Sequence, residues 1–157
     1  AAVTVEKSPL ASHTKNLTLP ARAWNAYLVA RTPRWSARSL SDHQRLSDEG
    51  GTPKTRGHKS GEGDTTLLDA LLLLLRHPLS KIDGDHVRAW LQAEAARRPT
   101  QAAFAFVRLR AFLNWCADRP EYRDQTHADA CTARLARDEP PKKAAKDDCL
   151  QREQLPA

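Results

Sequence analysis

The sequence predicts an all-α fold, and three observations carry that expectation. Apolar residues recur at i, i+3 and i+4 through most of the chain, and no run alternates with the two-residue period of a half-buried strand. Proline, serine, threonine and aspartate fall where those periodic runs begin and end. A chain of 157 residues is long enough for one domain with a proper core, with loose ends besides.

Residues 1–19 lack sustained periodicity and read as an extended arm or linker. A first helix starts near Pro20, since proline suits a first turn, and Trp24, Tyr27 and Leu28 supply its core-facing stripe. Thr32-Pro33 ends it, because proline disfavours helical geometry in the residue before it. A second helix is expected over 36–48, with Ser36 as the N-cap. Leu40 and Leu46 are its few apolar anchors, so this mostly polar helix should touch something besides the core.

Residues 50–64 hold five of the six glycines and read as a mobile loop on which Lys54, Arg56, His58 and Lys59 concentrate charge. The string GHKSG half imitates a phosphate-binding loop, but it lacks both the GxxxxGK[ST] pattern and a preceding strand, which rejects that reading. A leucine-rich helix over 67–76, capped by Thr65 or Thr66, should be the most buried element. Asp83 caps the next helix, whose stripe is Val87, Trp90 and Leu91, and Pro99 stops it. A helix over 100–118 and a short one over 128–137 follow, then a charged, proline-bearing linker from 138.

The net charge of +6 favours polyanionic partners. Cys116, Cys131 and Cys149 are odd in number and form no Cys/His ligand spacing, so neither a disulfide framework nor a zinc site is expected. A reduced, cytosolic chain is the expectation. The longest apolar stretch, 67–79, is interrupted by Asp69 and Arg76 and is too short for a bilayer, so no membrane partner is expected. With no methionine and an Ala-Ala start, the chain reads as a piece of something longer.

The order of the pieces is specific. A helix opening WSxRxLxDH leads through the loop to LSKIDGDHVRAWL, then PTQAAFAFVRLRAFLNWCADRPEY, then a Pro/Lys linker into DDCLQREQLPA. This resembles the core-binding domain of phage integrases, of the tyrosine recombinase family. The likeness runs from about Leu19 to the end, and the glycine loop fits it least.

The resemblance implies a SAM-like bundle of four to five helices, with an arm over 1–19 and a helical DNA-binding domain over 20–137. Residues 138–157 would then be a linker and the start of a catalytic domain. It implies double-stranded DNA as partner, with other integrase protomers in a synaptic assembly, and no cofactor. The family's tyrosine nucleophile belongs to that following domain. Tyr27 and Tyr122 match no part of its motif, so this piece is expected to hold DNA without catalysing.

By the same resemblance, two helices face the duplex. The polar helix offers Ser36, Arg38, Ser39 and His43, residue types suited to phosphate and base-edge hydrogen bonds. Asp42 there would repel phosphate unless Arg38 or Arg45 neutralised it, or unless it accepted from a cytosine amino group. The helix over 100–118 offers its N-terminal end, with Arg97, Arg98, Thr100 and Gln101, and Arg110 extends the strip. Lys54, Arg56 and Lys59 on the loop, and Lys142, Lys143 and Lys146 in the linker, are weaker candidates.

At about 100° per residue, Phe104, Ala111 and Trp115 fall on one apolar side of that helix, and Phe106, Leu109, Leu113 and Cys116 on another. Arg108 lies off the polar strip, with an acidic neighbour inside the fold as its simplest partner. Asp83, Asp85 and His86 could suggest a metal, but a cap and a first-turn dipole complement explain the aspartates better. The rival reading is a helical protein-interaction module with an acidic partner, which an exposed apolar patch would favour. No helix-turn-recognition-helix pair of suitable spacing supports a standalone regulator.

Overall fold

The computed structural model describes residues 19–53, 65 and 69–141. The described residues form an all-α bundle of seven helices: α1 (Leu19–Arg31), α2 (Ala37–Arg45), α3 (Leu72–Leu75), α4 (Gly84–Arg97), α5 (Pro99–Ala117), α6 (Pro120–Arg123) and α7 (Ala133–Asp138). Single 3-10 turns at Thr32–Arg34 and Leu79–Lys81 lie between them.

The largest helix pair is α4 with α5. Only Arg98 separates them, held extended at φ −150° and ψ 77° by the proline that follows it. Ala102 and Ala105 are fully buried on α5, and side chains this small let two backbones approach closely. Val87, Trp90 and Leu91 of α4, and Phe106 and Leu109 of α5, complete that layer of the core. α1 closes the bundle through an aromatic cluster. Phe112 meets Trp24 edge-on at 5.1 Å and Tyr27 at 5.6 Å.

Two caps are those the sequence predicts. The Ser36 hydroxyl accepts from the Ser39 amide at 3.2 Å, and the Asp83 carboxylate accepts from the His86 amide at 2.8 Å. Each satisfies an amide that the first helical turn leaves unpaired.

Elsewhere tertiary contacts override local pattern. The second helix stops at Arg45 and not at 48, because the amides of residues 46–48 turn to the carbonyls three residues back, at 43–45, while the carbonyls of 46 and 48 pair across the fold. Asp69 donates its amide to Asp48 O and Leu71 to Leu46 O, both at 3.1 Å. Those two bonds occupy amides that a longer helix would use, and among the described residues 69–76 the single turn α3 forms. Residues 66–68 lie outside the described residues. The loop leaves α2 through Gly50 and Gly51 at φ 71° and 77°, a conformation glycine adopts without strain. A bridge between Pro53 and Thr65 brings the described ends of that loop side by side.

The last predicted helix begins later than 128. Residues 127–130 are tied to the start of α4: His127 Nε2 lies 2.8 Å from Ser80 O, and the Gly84 amide donates to Asp129 Oδ2 at 3.3 Å. Thr132 then caps α7 by accepting from the Leu135 amide. The one-turn helix α6, opened by Pro120, was not anticipated. On α5 the core register also differs from the wheel, since Ala111 is exposed and Phe112 is fully buried.

Candidate nucleic-acid interface

α2 is linked to α5 and to the residues around it by ring contacts and charge interactions. At its start, Trp35 packs edge-on against Tyr27 at 5.4 Å, and Tyr27 touches Trp115 near the end of α5. In its middle, Asp42 lies within electrostatic reach of Arg108. At its end, Arg45 acts on Asp69, which also feels Arg98 and Glu94. The two helices that the sequence nominates are therefore neighbours in space.

Their side chains divide sharply. His43 is buried, stacked 3.9 Å from the Trp35 ring, and its Nδ1–H donates to Ser39 O at 2.7 Å. Burial pulls its imidazole below the usual range, and the Arg108 charge adds to that. His43 is thus packed into the core. Leu40 packs beside it and Leu46 is fully buried. Arg38 and Arg45, two turns apart on the other face, are exposed. Arg45 was not among the sequence candidates. Its seven-residue spacing from Arg38 is the signal that finds it.

Ser36 and Ser39 spend hydrogen-bonding capacity locally, their hydroxyls 3.3 Å apart over the cap. They keep the amides at the start of α2 in helical register and stay near the surface.

At the α4–α5 junction, Arg97 and Arg98 both turn to Glu94, a carboxylate that is almost fully buried. Arg98 Nε lies 3.0 Å from Glu94 Oε2, and Arg97 NH1 lies 3.7 Å from Oε1. A buried carboxylate needs such partners, so this pair stabilises the junction whatever else it contacts. Arg97 keeps more than half its side chain in solvent, whereas Arg98 is mostly covered. Thr100 is exposed and Gln101 half-buried at the start of α5.

Arg110 stands apart from this group. It lies on the far side of α5 from Arg108, in a groove of about 380 Å³ lined by Val107, Ala136 and Pro140, and its Nε is buried without a hydrogen-bond partner. Arg108, unassigned from sequence, folds back on its own helix. It lies over the Phe104 ring 3.1 Å from the centroid and donates to Phe104 O at 3.1 Å. Burial lowers its affinity for its proton, and Asp42 works against that. Lys54, Arg56, Lys59, Lys142, Lys143 and Lys146 lie outside the described residues.

Tyr27 is buried in the aromatic cluster, and burial raises its hydroxyl pKa against the lowering effect of Arg31. Burial also pushes the Cys116 and Cys131 thiols up to about 12, so at neutral pH they stay protonated. Among the described residues no three His, Cys, Asp or Glu side chains gather as a metal site, and no helix is long and apolar enough to cross a membrane.

Comparison with known proteins follows the geometry. A model of the phage integrase core-binding domain matches residues 19–138. Prophage integrase IntF of Escherichia coli (strain K12) is 39% identical over 142 residues, covering 85% of this chain and 29% of that relative's length. The chain therefore spans under a third of the curated relative. No solved structure matches it.

Proposed function

Because the chain belongs to the phage integrase core-binding domain family, we propose that it grips one half-site of a recombination duplex for DNA integration. The observation that carries this reading is that α2, the end of α4 and the start of α5 bury their apolar residues in the bundle and leave Arg38, Arg45, Arg97 and Thr100 exposed. Arg38 and Arg45 supply phosphate contacts or bidentate contacts to base edges. Thr100 and Gln101 stand at the N-terminal end of a 19-residue helix, where unpaired amides favour phosphate.

Strand cleavage in the parent protein falls to a tyrosine outside this chain, and a synaptic assembly with other integrase protomers completes the reaction. A protein-interaction module would expose a contiguous apolar patch. Among the described residues the exposed large apolar side chains, Val29, Leu73 and Val107, fall one each on α1, α3 and α5, and scattered residues of that kind are ordinary.

The test is fluorescence anisotropy with a labelled duplex at rising salt. The expected result is weak binding that falls steeply, by about 0.9 in log affinity per log salt for each phosphate neutralised. Binding that ignores salt, or that is absent at low salt, overturns the proposal.

A further inference from the structure

A second basic site lies beyond the residues assigned above. Arg31 ends α1, Arg34 lies in the following 3-10 turn, and Arg119 follows α5, yet all three line one open groove of about 450 Å³. Two of them are held by aromatic faces. The Arg31 guanidinium lies 5.8 Å from the Tyr27 ring centroid, and that of Arg119 lies 4.9 Å from the Trp115 centroid. The two rings are themselves 5.6 Å apart, so they form one wall behind both guanidinium groups.

A guanidinium lying against an aromatic face keeps its N–H donors directed from its edges, and its orientation is set before any ligand arrives. Arg34 is exposed and has no side-chain partner among the described residues. Among the described residues Asp118 is the only carboxylate on the groove's lining. Arg31 also hydrogen-bonds the Tyr27 hydroxyl, and the three cations against one carboxylate form a receptor for a compact dianion or for successive monoanions.

The position selects between those ligands. Arg34 immediately precedes Trp35 and the Ser36 cap, so the groove adjoins the N-terminal end of α2. It also lies at the C-terminal end of α5, whose other end carries Thr100. A helix of 19 residues spans about 28 Å, which approaches the roughly 34 Å of one duplex turn. We propose that Arg31, Arg34 and Arg119 seat the phosphodiester backbone of the same duplex about one turn from the contacts at the start of α5. This rests on the duplex-gripping reading above.

The test compares the unaltered chain with R34A/R119A, R34A alone and R34K/R119K, using one mixed-sequence duplex and a salt series. At about 0.9 per phosphate, the double alanine variant is expected to lower the magnitude of the salt slope by about 2 and R34A by about 1. The lysine variant should keep most of the slope. Discrimination between duplex sequences should stay as it was, because phosphate contacts carry no sequence information.

An unchanged slope in R34A/R119A, with the unaltered chain still binding, overturns this site and leaves the duplex-gripping reading standing. Absence of binding by the unaltered chain at low salt overturns both. R34A removes an exposed side chain without a partner, so it remains a folded test if the double variant loses its helical circular dichroism.

Discussion

The most instructive perturbation is Glu94→Gln. The side chain is buried at the C-terminal end of α4, where it accepts from Arg98 at 3.0 Å and lies 3.7 Å from Arg97. Glutamine preserves the shape and one acceptor oxygen, so the change isolates the charge. A hydrogen bond to a charged group contributes about 1.5–3 kcal/mol, and a neutral one about 0.5–1.5 kcal/mol. Exchanging one for the other at Arg98 should therefore cost about 1–2 kcal/mol. The longer contact to the well-exposed Arg97 adds little, since solvent screens it.

Urea unfolding at neutral pH measures this as a lower midpoint at unchanged slope against denaturant. DNA binding supplies the second reading. Removing the carboxylate releases two arginines beside the start of α5, so affinity at low salt should be kept or increased. A midpoint unchanged within about 0.5 kcal/mol would refute the paired, buried carboxylate. Lost DNA binding with helicity intact would show that Glu94 holds the arginines in their binding geometry.

Three further outcomes are expected. Phe112→Ala, which empties a fully buried site between Trp24 and Tyr27, should destabilise by about 3–5 kcal/mol in urea; a loss below 1 kcal/mol would place Phe112 outside the core. Gly84→Ala should cost about 1–3 kcal/mol, because the added Cβ would sit 2.8 Å from the Asp129 carbonyl oxygen; a gain in stability would contradict that packing. Burial lowers the His43 pKa from 6.5, so the unfolded chain binds that proton more readily. The contribution is present above about pH 6.5 and lost as pH falls below it. His43→Gln should flatten that part of the stability–pH curve, and an unchanged curve would refute the role given to His43.

Much of the fold was readable because caps and apolar stripes act over three or four residues. Ser36 and Asp83 cap as their residue types demand, and Trp24, Tyr27, Val87, Trp90 and Leu91 are buried as their helical spacing implies. The all-α class follows from the same short-range regularities. So does the nomination of α2 and α5 as the polar-faced helices, with the family resemblance giving that nomination its meaning.

Long-range contacts decided the rest. The leucine run looks like a long helix, yet its amides at 69 and 71 are taken by carbonyls at 48 and 46. A backbone group bonded across the fold cannot also close a helical turn, and no local pattern records that competition. His43 and Arg38 are equally polar in sequence, but packing against Trp35 turns one inward and leaves the other in solvent. The pairing of Arg97 and Arg98 with Glu94 is, by contrast, local: Glu94 lies three and four residues before them on α4, a spacing the sequence already offered.

The groove of Arg31, Arg34 and Arg119 draws on residues almost ninety positions apart. Sequence by itself determined the helices, their caps and the excess of positive charge, because those follow from each residue and its near neighbours. Only tertiary structure decided where that charge collects, because electrostatic fields add through space and not along the chain.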